Sequence, residues 1–82
     1  MRELSIFYAE DAPIVADAVK ETLEAEGWRV EVCTRGDAAL GRLQSGAHFD
    51  VLILDFHLPG LDGLELVQRV RDIPRRRQTP II

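Results

Sequence analysis

The segment FDVLIL, residues 49–54, narrows the possible folds more than any other part of this chain. It is short, almost wholly apolar and stops at Asp55, the pattern of a strand buried on both faces of a sheet. Such a strand belongs in a parallel sheet whose crossover helices do the covering, and the flanking sequence supplies those helices. LSIFYA (4–9) reads as a first short strand, closed by Glu10-Asp11. Asp11 then stands as an N-cap, with Pro13 in the first turn of a helix whose apolar stripe is Ile14, Val15, Ala18, Val19, Thr22 and Leu23 and whose stop signal is Gly27. WRVEVCT (28–34) alternates like a half-buried edge strand. Gly36-Asp37 opens a second helix that turns Ala39, Leu40 and Leu43 inward and stops at Gly46. FDVLIL reads as the central strand, HLPGLDG as a loop, and Asp62-Gly63 as the start of a third helix with Leu66, Val67, Val70 and Ile73 on its core side, ending before Pro74. TPII (79–82) reads as a strand just starting.

Strands that alternate with helices imply right-handed βαβ units, hence an α/β fold with a parallel sheet and helices on both faces. At 82 residues the expectation is one domain over 1–82, and a chain of that size buries only about 60–65% of its unfolded surface. No apolar run is long enough to span a membrane. The net charge of −4 argues against nonspecific nucleic-acid binding, which rests on phosphate neutralisation by Lys and Arg. A single cysteine, Cys33, leaves no internal disulfide and no set of zinc ligands, so the expected location is the cytoplasm. Arg75-Arg76-Arg77, beside Pro74, reads as a solvated loop.

In open α/β sheets, ligands bind outside the carboxyl ends of the strands where the strand order reverses. Glu10-Asp11 closes the first strand and Asp55 the third, so neighbouring strands would bring these carboxylates into one crevice. At roughly 5 Å and an effective dielectric near 20, a like-charge pair costs about 3 kcal/mol. A hard cation with oxygen ligands, such as Mg²⁺, would offset that, and so would a carboxyl that keeps its proton at neutral pH. Either acid alone is also what a helix start or a turn would carry. Both together, at the same edge of the sheet, are harder to assign to capping.

The combination of IFYAEDAP, DVLILDFHLPGLDG and the Pro-Gly…Asp-Gly loop resembles the receiver domain of two-component response regulators. The resemblance runs from about Glu3 to Ile82 and covers roughly two-thirds of a receiver. It implies a CheY-like, flavodoxin-like sheet, incomplete as strand-helix-strand-helix-strand-helix-strand of a five-strand domain. It further implies that Asp55 is the phosphoacceptor, attacking the phosphohistidine of a sensor histidine kinase or phosphotransfer protein. Glu10, Asp11, Asp55 and the backbone carbonyl of His57 would then place Mg²⁺, Asp11 directly and Glu10 through water. Pro59 and Gly60 would shape the loop, and Gly63 would let the next helix start tightly. His57 itself is expected to be an exposed loop residue, as is His48. A receiver assists its own phosphorylation and is not a conventional enzyme.

Ile82 falls within the expected fourth strand, ahead of the positions at which the family carries a Thr or Ser and then a Lys. The expectation is therefore a long, apolar, unpaired sheet edge, with homodimerisation or domain swapping through it. Other readings stay open. A pseudo-receiver would use the fold only as an interaction or dimerisation surface. A Mg²⁺-dependent aspartyl phosphatase would carry a second Asp where this chain has His57. A nucleotide site is the weakest, because AEDAP offers acids where a phosphate cradle needs glycines and amides.

Overall fold

The computed structural model describes residues 3–82. Strands β1 (Ser5–Ala9), β2 (Arg29–Cys33) and β3 (Val51–Leu54) alternate with helices α1 (Pro13–Glu24), α2 (Gly36–Gln44) and α3 (Gly63–Arg71), and a short 3₁₀ turn, Pro74–Arg76, follows. The strands form one parallel sheet in the order β2-β1-β3. Its register sets Ala9 opposite Cys33 on one side and opposite Leu54 on the other. The chain steps outward from β1 to β2 and then back across β1 to β3, so right-handed crossovers put α1 on one face and α2 on the other.

The two faces are packed unequally. Phe7 and Ala9 of β1 and Leu52 of β3 meet Ala39, Leu40 and Leu43 of α2, Leu66 and Val70 of α3, and Phe49 in one cluster. The Phe7 and Phe49 rings lie 5.2 Å apart and tilted by 60°, a favoured aromatic arrangement. On the α1 face, Ile6 and Tyr8 are buried while Val51 and Ile53 are only half covered. The apolar stripe expected on α1 is corrected here. Ala16 is buried and Val19 and Leu23 half-buried, but Ile14 is 86% exposed and Val15 and Ala18 also face solvent. The helix is apolar around more of its circumference than the described sheet can cover, so periodicity alone overstates the buried stripe.

Asp11 is not the N-cap of α1. Ala12 holds that position without a side-chain bond, Pro13 begins the helix, and Glu10 Oε2 accepts from the Ala12 N–H at 3.2 Å. Gly27 does adopt the positive φ of 86° that ends the helix region. The third strand is shorter than FDVLIL and begins at Val51, because Asp50 is used to start it: its carboxylate accepts from the Ser5 N–H at 2.8 Å. Among the described strands β1, not β3, lies in the middle.

The far edge of β3 is not left unpaired. Ile81 bridges Leu52 in parallel, the Leu52 N–H donates to Pro80 at 2.9 Å, and the Ile82 N–H donates to Leu52 at 2.9 Å. The edge of β3 that the sequence left open is thereby paired, at Leu52 and Leu54, with residues 80–82. The arginine run is corrected as well. Arg76 is only 3% exposed. Its Nε donates to the Leu43 carbonyl at 2.6 Å and its Nη2 to the Ala47 carbonyl at 2.5 Å, with Ser45 at 3.3 Å, and the guanidinium lies 5.4 Å from the Phe49 ring centre. Arg75 reaches the carbonyls of Gln44 and Ser45 beside it. A helix end leaves its last carbonyls without partners, and here a side chain remote in sequence supplies them. Burial, with the nearby Arg75 and Arg42 charges, pushes the Arg76 pKa below its ordinary value. No helix among the described residues is long and apolar enough to cross a membrane.

Candidate metal centre at the carboxyl ends of β1 and β3

Because Ala9 pairs with Leu54, the next residues, Glu10 and Asp55, leave the sheet side by side. Parallel pairing continues through this step, with the Asp55 N–H donating to the Ala9 carbonyl at 3.0 Å, and on the other side the Glu10 N–H donates to Cys33 at 3.0 Å. Both acids are thus held by backbone at the point where strand order reverses. Asp11 follows on the turn into α1. One carboxylate oxygen from each of Glu10, Asp11 and Asp55 lies within 4.8 Å of the others, with Asp11 exposed and the other two half-buried. At that separation the Glu10–Asp55 repulsion is about 3 kcal/mol for an effective dielectric near 20.

The donor set is chemically uniform: carboxylate oxygens, the ligands that hard divalent cations take. An octahedral Mg²⁺ with bonds of about 2.0–2.1 Å spaces neighbouring oxygens about 2.9 Å apart and opposite ones about 4.2 Å. Oxygens spread up to 4.8 Å therefore suit a cation held partly through water, with a small contraction on binding. These residues fit Mg²⁺.

Two of the three carboxylates, Asp55 and Glu10, are steered by short-range contacts. Asp55 Oδ1 accepts from the His57 N–H at 3.5 Å, which bends the chain back over the strand end. Glu10 Oε1 faces the Tyr8 hydroxyl at 3.4 Å, opposite the Ala12 contact to Oε2. Burial first, then the Glu10 charge and hydrogen bond and the Asp55 charge, push the Tyr8 phenol above its ordinary pKa. The His57 side chain is exposed and its ring lies 5.8 Å from that of Phe56.

The loop after β3 is fixed from both ends. Leu58 is buried in the core cluster. The Pro59 carbonyl accepts from the Gly36 N–H at 2.8 Å, so the first residue of α2 holds the turn. Gly60 has φ +85°, and a Cβ there would lie 2.5 Å from the Asp37 carboxyl carbon. A Cβ on Gly63 would run into the Asp55 carbonyl and lie 2.7 Å from Phe56 Cα. Asp62 caps α3, its Oδ1 accepting from the Glu65 N–H at 3.0 Å. Two contributors escape a sequence reading. One is Gly36, where a Cβ would collide with the Leu61 backbone, and its only signal is a glycine at the start of a helix. The other is Tyr8, which looks like an ordinary apolar strand residue until its hydroxyl is placed.

Residues 6–82 match the family described as the response regulator receiver domain. Among proteins of similar sequence, the phosphate regulon transcriptional regulatory protein PhoB of Rhizobium meliloti is 43% identical over 77 residues, which are 94% of this chain and 34% of that protein. The signal transduction histidine-protein kinase BarA of Shigella flexneri is 28% identical over 79 residues, 96% of this chain and 8% of that one. Among solved structures, the chemotaxis response regulator CheY4 of Vibrio cholerae superposes with TM-score 0.92 at 32% identity, covering 98% of this chain and 66% of that one. The receiver domain of sensor histidine kinase PA1611 from Pseudomonas aeruginosa PAO1, solved with a magnesium ion coordinated in its active-site cleft, superposes with TM-score 0.91 at 26% identity, covering 98% and 65%. The chain therefore spans about a third of the length of the PhoB relative and just under two-thirds of the PA1611 receiver.

Proposed function

This chain belongs to the response regulator receiver domain family of two-component signalling, which is not a family of conventional enzymes, and we propose that it accepts a phosphoryl group on Asp55 from a phosphohistidine. The donor is a histidine kinase or a phosphotransfer protein, the partner class of receiver domains. Residues 1–82 supply the N-terminal two-thirds of such a domain, a reading supported by the 65% and 66% coverage of the solved receivers. The observation that carries the proposal is the convergence of Glu10, Asp11 and Asp55 at one end of the sheet.

In this reading an Asp55 carboxylate oxygen attacks phosphorus. A P–O bond forms as the P–N bond breaks, and the electron pair leaves on the imidazole nitrogen, which takes a proton. The His57 N–H, already directed at Asp55 Oδ1, leaves the second oxygen as the nucleophile. Asp11, the exposed acid, would bind the cation directly, Glu10 would hold a water of its shell, and Asp55 and the His57 backbone carbonyl would complete the protein ligands. Bound Mg²⁺ supplies positive charge for the phosphoryl oxygens, which lets an anionic nucleophile approach an anionic donor. Pro59, Gly60 and Gly63 keep the loop in the shape that presents the carbonyl.

The test is phosphorylation by acetyl phosphate with Mg²⁺, read by intact-protein mass. The chain gains one phosphoryl group that is lost in strong acid, in alkali and to hydroxylamine, as an acyl phosphate is, Asp55→Asn gains none, and Asp11→Ala shows weakened Mg²⁺ binding by calorimetry. Labelling that persists in Asp55→Asn refutes the assignment.

A further inference from the structure

We propose that Tyr8 is a positioning residue for the cation site, holding the Glu10 carboxylate in the orientation that faces the cation's water shell. The inference rests on the Mg²⁺ reading of the Glu10, Asp11 and Asp55 cluster and deepens it.

The placement follows from strand geometry. Residues two apart on a strand share a face, so Tyr8 lies directly beneath Glu10 on the α1 side of the sheet. Tyr8 is 4% exposed. A buried phenol needs a partner for its hydroxyl, and here that partner is Glu10 Oε1 at 3.4 Å. The other oxygen, Oε2, takes the Ala12 N–H at 3.2 Å, while the Glu10 backbone is tied to Cys33. Glu10 thus has a donor facing each carboxylate oxygen and a hydrogen bond at its main chain. Neither Asp11 nor Asp55 has a side-chain donor of this kind among the contacts described, although Asp55 has the His57 N–H.

Glu side chains are long, and one surrounded by like charges swings toward solvent unless something holds it. A hydroxyl aimed at Oε1 does so without adding charge. It also draws some density from the carboxylate, which by itself would weaken a direct metal bond. For an acid that acts through water, orientation outweighs that loss. At 3.4 Å the contact is longer than a closed O–H···O bond, so a shift of Glu10 on cation binding changes the environment of the phenol.

Removing the hydrogen-bond partners of metal-binding groups commonly costs 10-fold or more in affinity, and about 10-fold is expected for Tyr8→Phe. Two measurements on the 82-residue chain test this. In calorimetry, Tyr8→Phe raises the Mg²⁺ Kd by about 10-fold while its melting temperature stays near that of the parent. Ile6→Val, a change on the same buried face, moves the melting temperature and leaves the Kd in place. Tyr8 is the single tyrosine of the chain, so fluorotyrosine-labelled parent protein gives one fluorine NMR signal, and that signal shifts with Mg²⁺ along the calorimetric isotherm. The fluorine measurement needs no mutation and stands even where Tyr8→Phe folds poorly. A Kd for Tyr8→Phe within twofold of the parent, or a fluorine signal indifferent to Mg²⁺ while the parent binds it, overturns the role of Tyr8 alone. A parent chain that binds no Mg²⁺ overturns the cation reading itself, and the role of Tyr8 with it.

Discussion

Arg76→Ala tests whether one buried guanidinium holds the C-terminal end of α2. The substitution removes two short bonds, to Leu43 at 2.6 Å and to Ala47 at 2.5 Å, and a longer one to Ser45 at 3.3 Å. Hydrogen bonds from a charged donor contribute about 1.5–3 kcal/mol each. The two short ones set a gross loss of about 3–6 kcal/mol on that scale, and the cation–π contact with Phe49 adds about 0.5–1 kcal/mol. Against this, the guanidinium no longer has to be desolvated, and water reaches the half-buried Ala47 carbonyl. A net destabilisation of about 3 kcal/mol results, which is large beside the total of about 4–12 kcal/mol that 0.05–0.15 kcal/mol per residue gives a chain of this length. It corresponds to a fall in Tm of about 12–24 °C. Urea unfolding followed by far-UV circular dichroism reads it, with exposed Arg77→Ala as the control, expected within about 0.5 kcal/mol of the parent. Arg76→Lys falls between, because an ammonium lacks the planar fork. If Arg76→Ala and Arg77→Ala share a urea midpoint, the clamp carries no stability and the reasoning fails.

Two further outcomes follow from the geometry around the site. Gly63→Ala drives a methyl into the Asp55 carbonyl, at a cost of about 1–3 kcal/mol, and it displaces Asp55; denaturant unfolding gives the first and the Mg²⁺ affinity the second, whereas Gly41→Ala, where a Cβ meets open space, changes neither affinity nor fold. Asp37 has its pKa lowered by the hydrogen bond from Arg35, then by the Ala38 N–H. A depressed carboxyl adds stability above its unfolded pKa of about 3.9, and that contribution is lost as pH falls through the lower folded value. NMR titration of Arg35→Ala moves the Asp37 carboxyl upward toward the ordinary range; a titration midpoint unchanged from the parent removes Arg35 as the cause.

Much of the architecture was legible because its signals are local. VLIL is apolar on four successive residues, the helical segments repeat at helical spacing, and Asp62 caps α3 three residues before its bonded partner, Glu65. The convergence of Glu10, Asp11 and Asp55 was legible for another reason: acids at strand ends meet wherever those strands are neighbours in a parallel sheet. What the sequence concealed depends on partners remote along the chain. Arg76 looks like the middle of a solvated basic run, since its acceptors are backbone carbonyls about thirty residues away and carry no residue-type signature. Ile14 and Val15 belong to an apolar stripe by spacing, but burial depends on how much surface lies opposite, and that is a property of the whole sheet. Asp11 sits where a cap is expected, yet the preceding acid supplies the contact to the helix start, through Ala12.

Helix α2 is anchored at each end by chain that lies far from it in sequence: its first N–H by Pro59 of the site loop, its last carbonyls by Arg76. Helix termini ordinarily fray at little cost, and opening proceeds inward from them. Here neither terminus can loosen without breaking a long-range contact, so the cheapest local opening of α2 already releases the site loop or the turn that leads into residues 80–82. Amide exchange along α2 is therefore expected to track the unfolding of the whole molecule more closely than exchange along α1, whose start is held, among the described contacts, by the local bond from the Ala12 N–H to Glu10. The loop that carries Asp55 thereby draws its rigidity from the cooperativity of the domain rather than from its own few bonds.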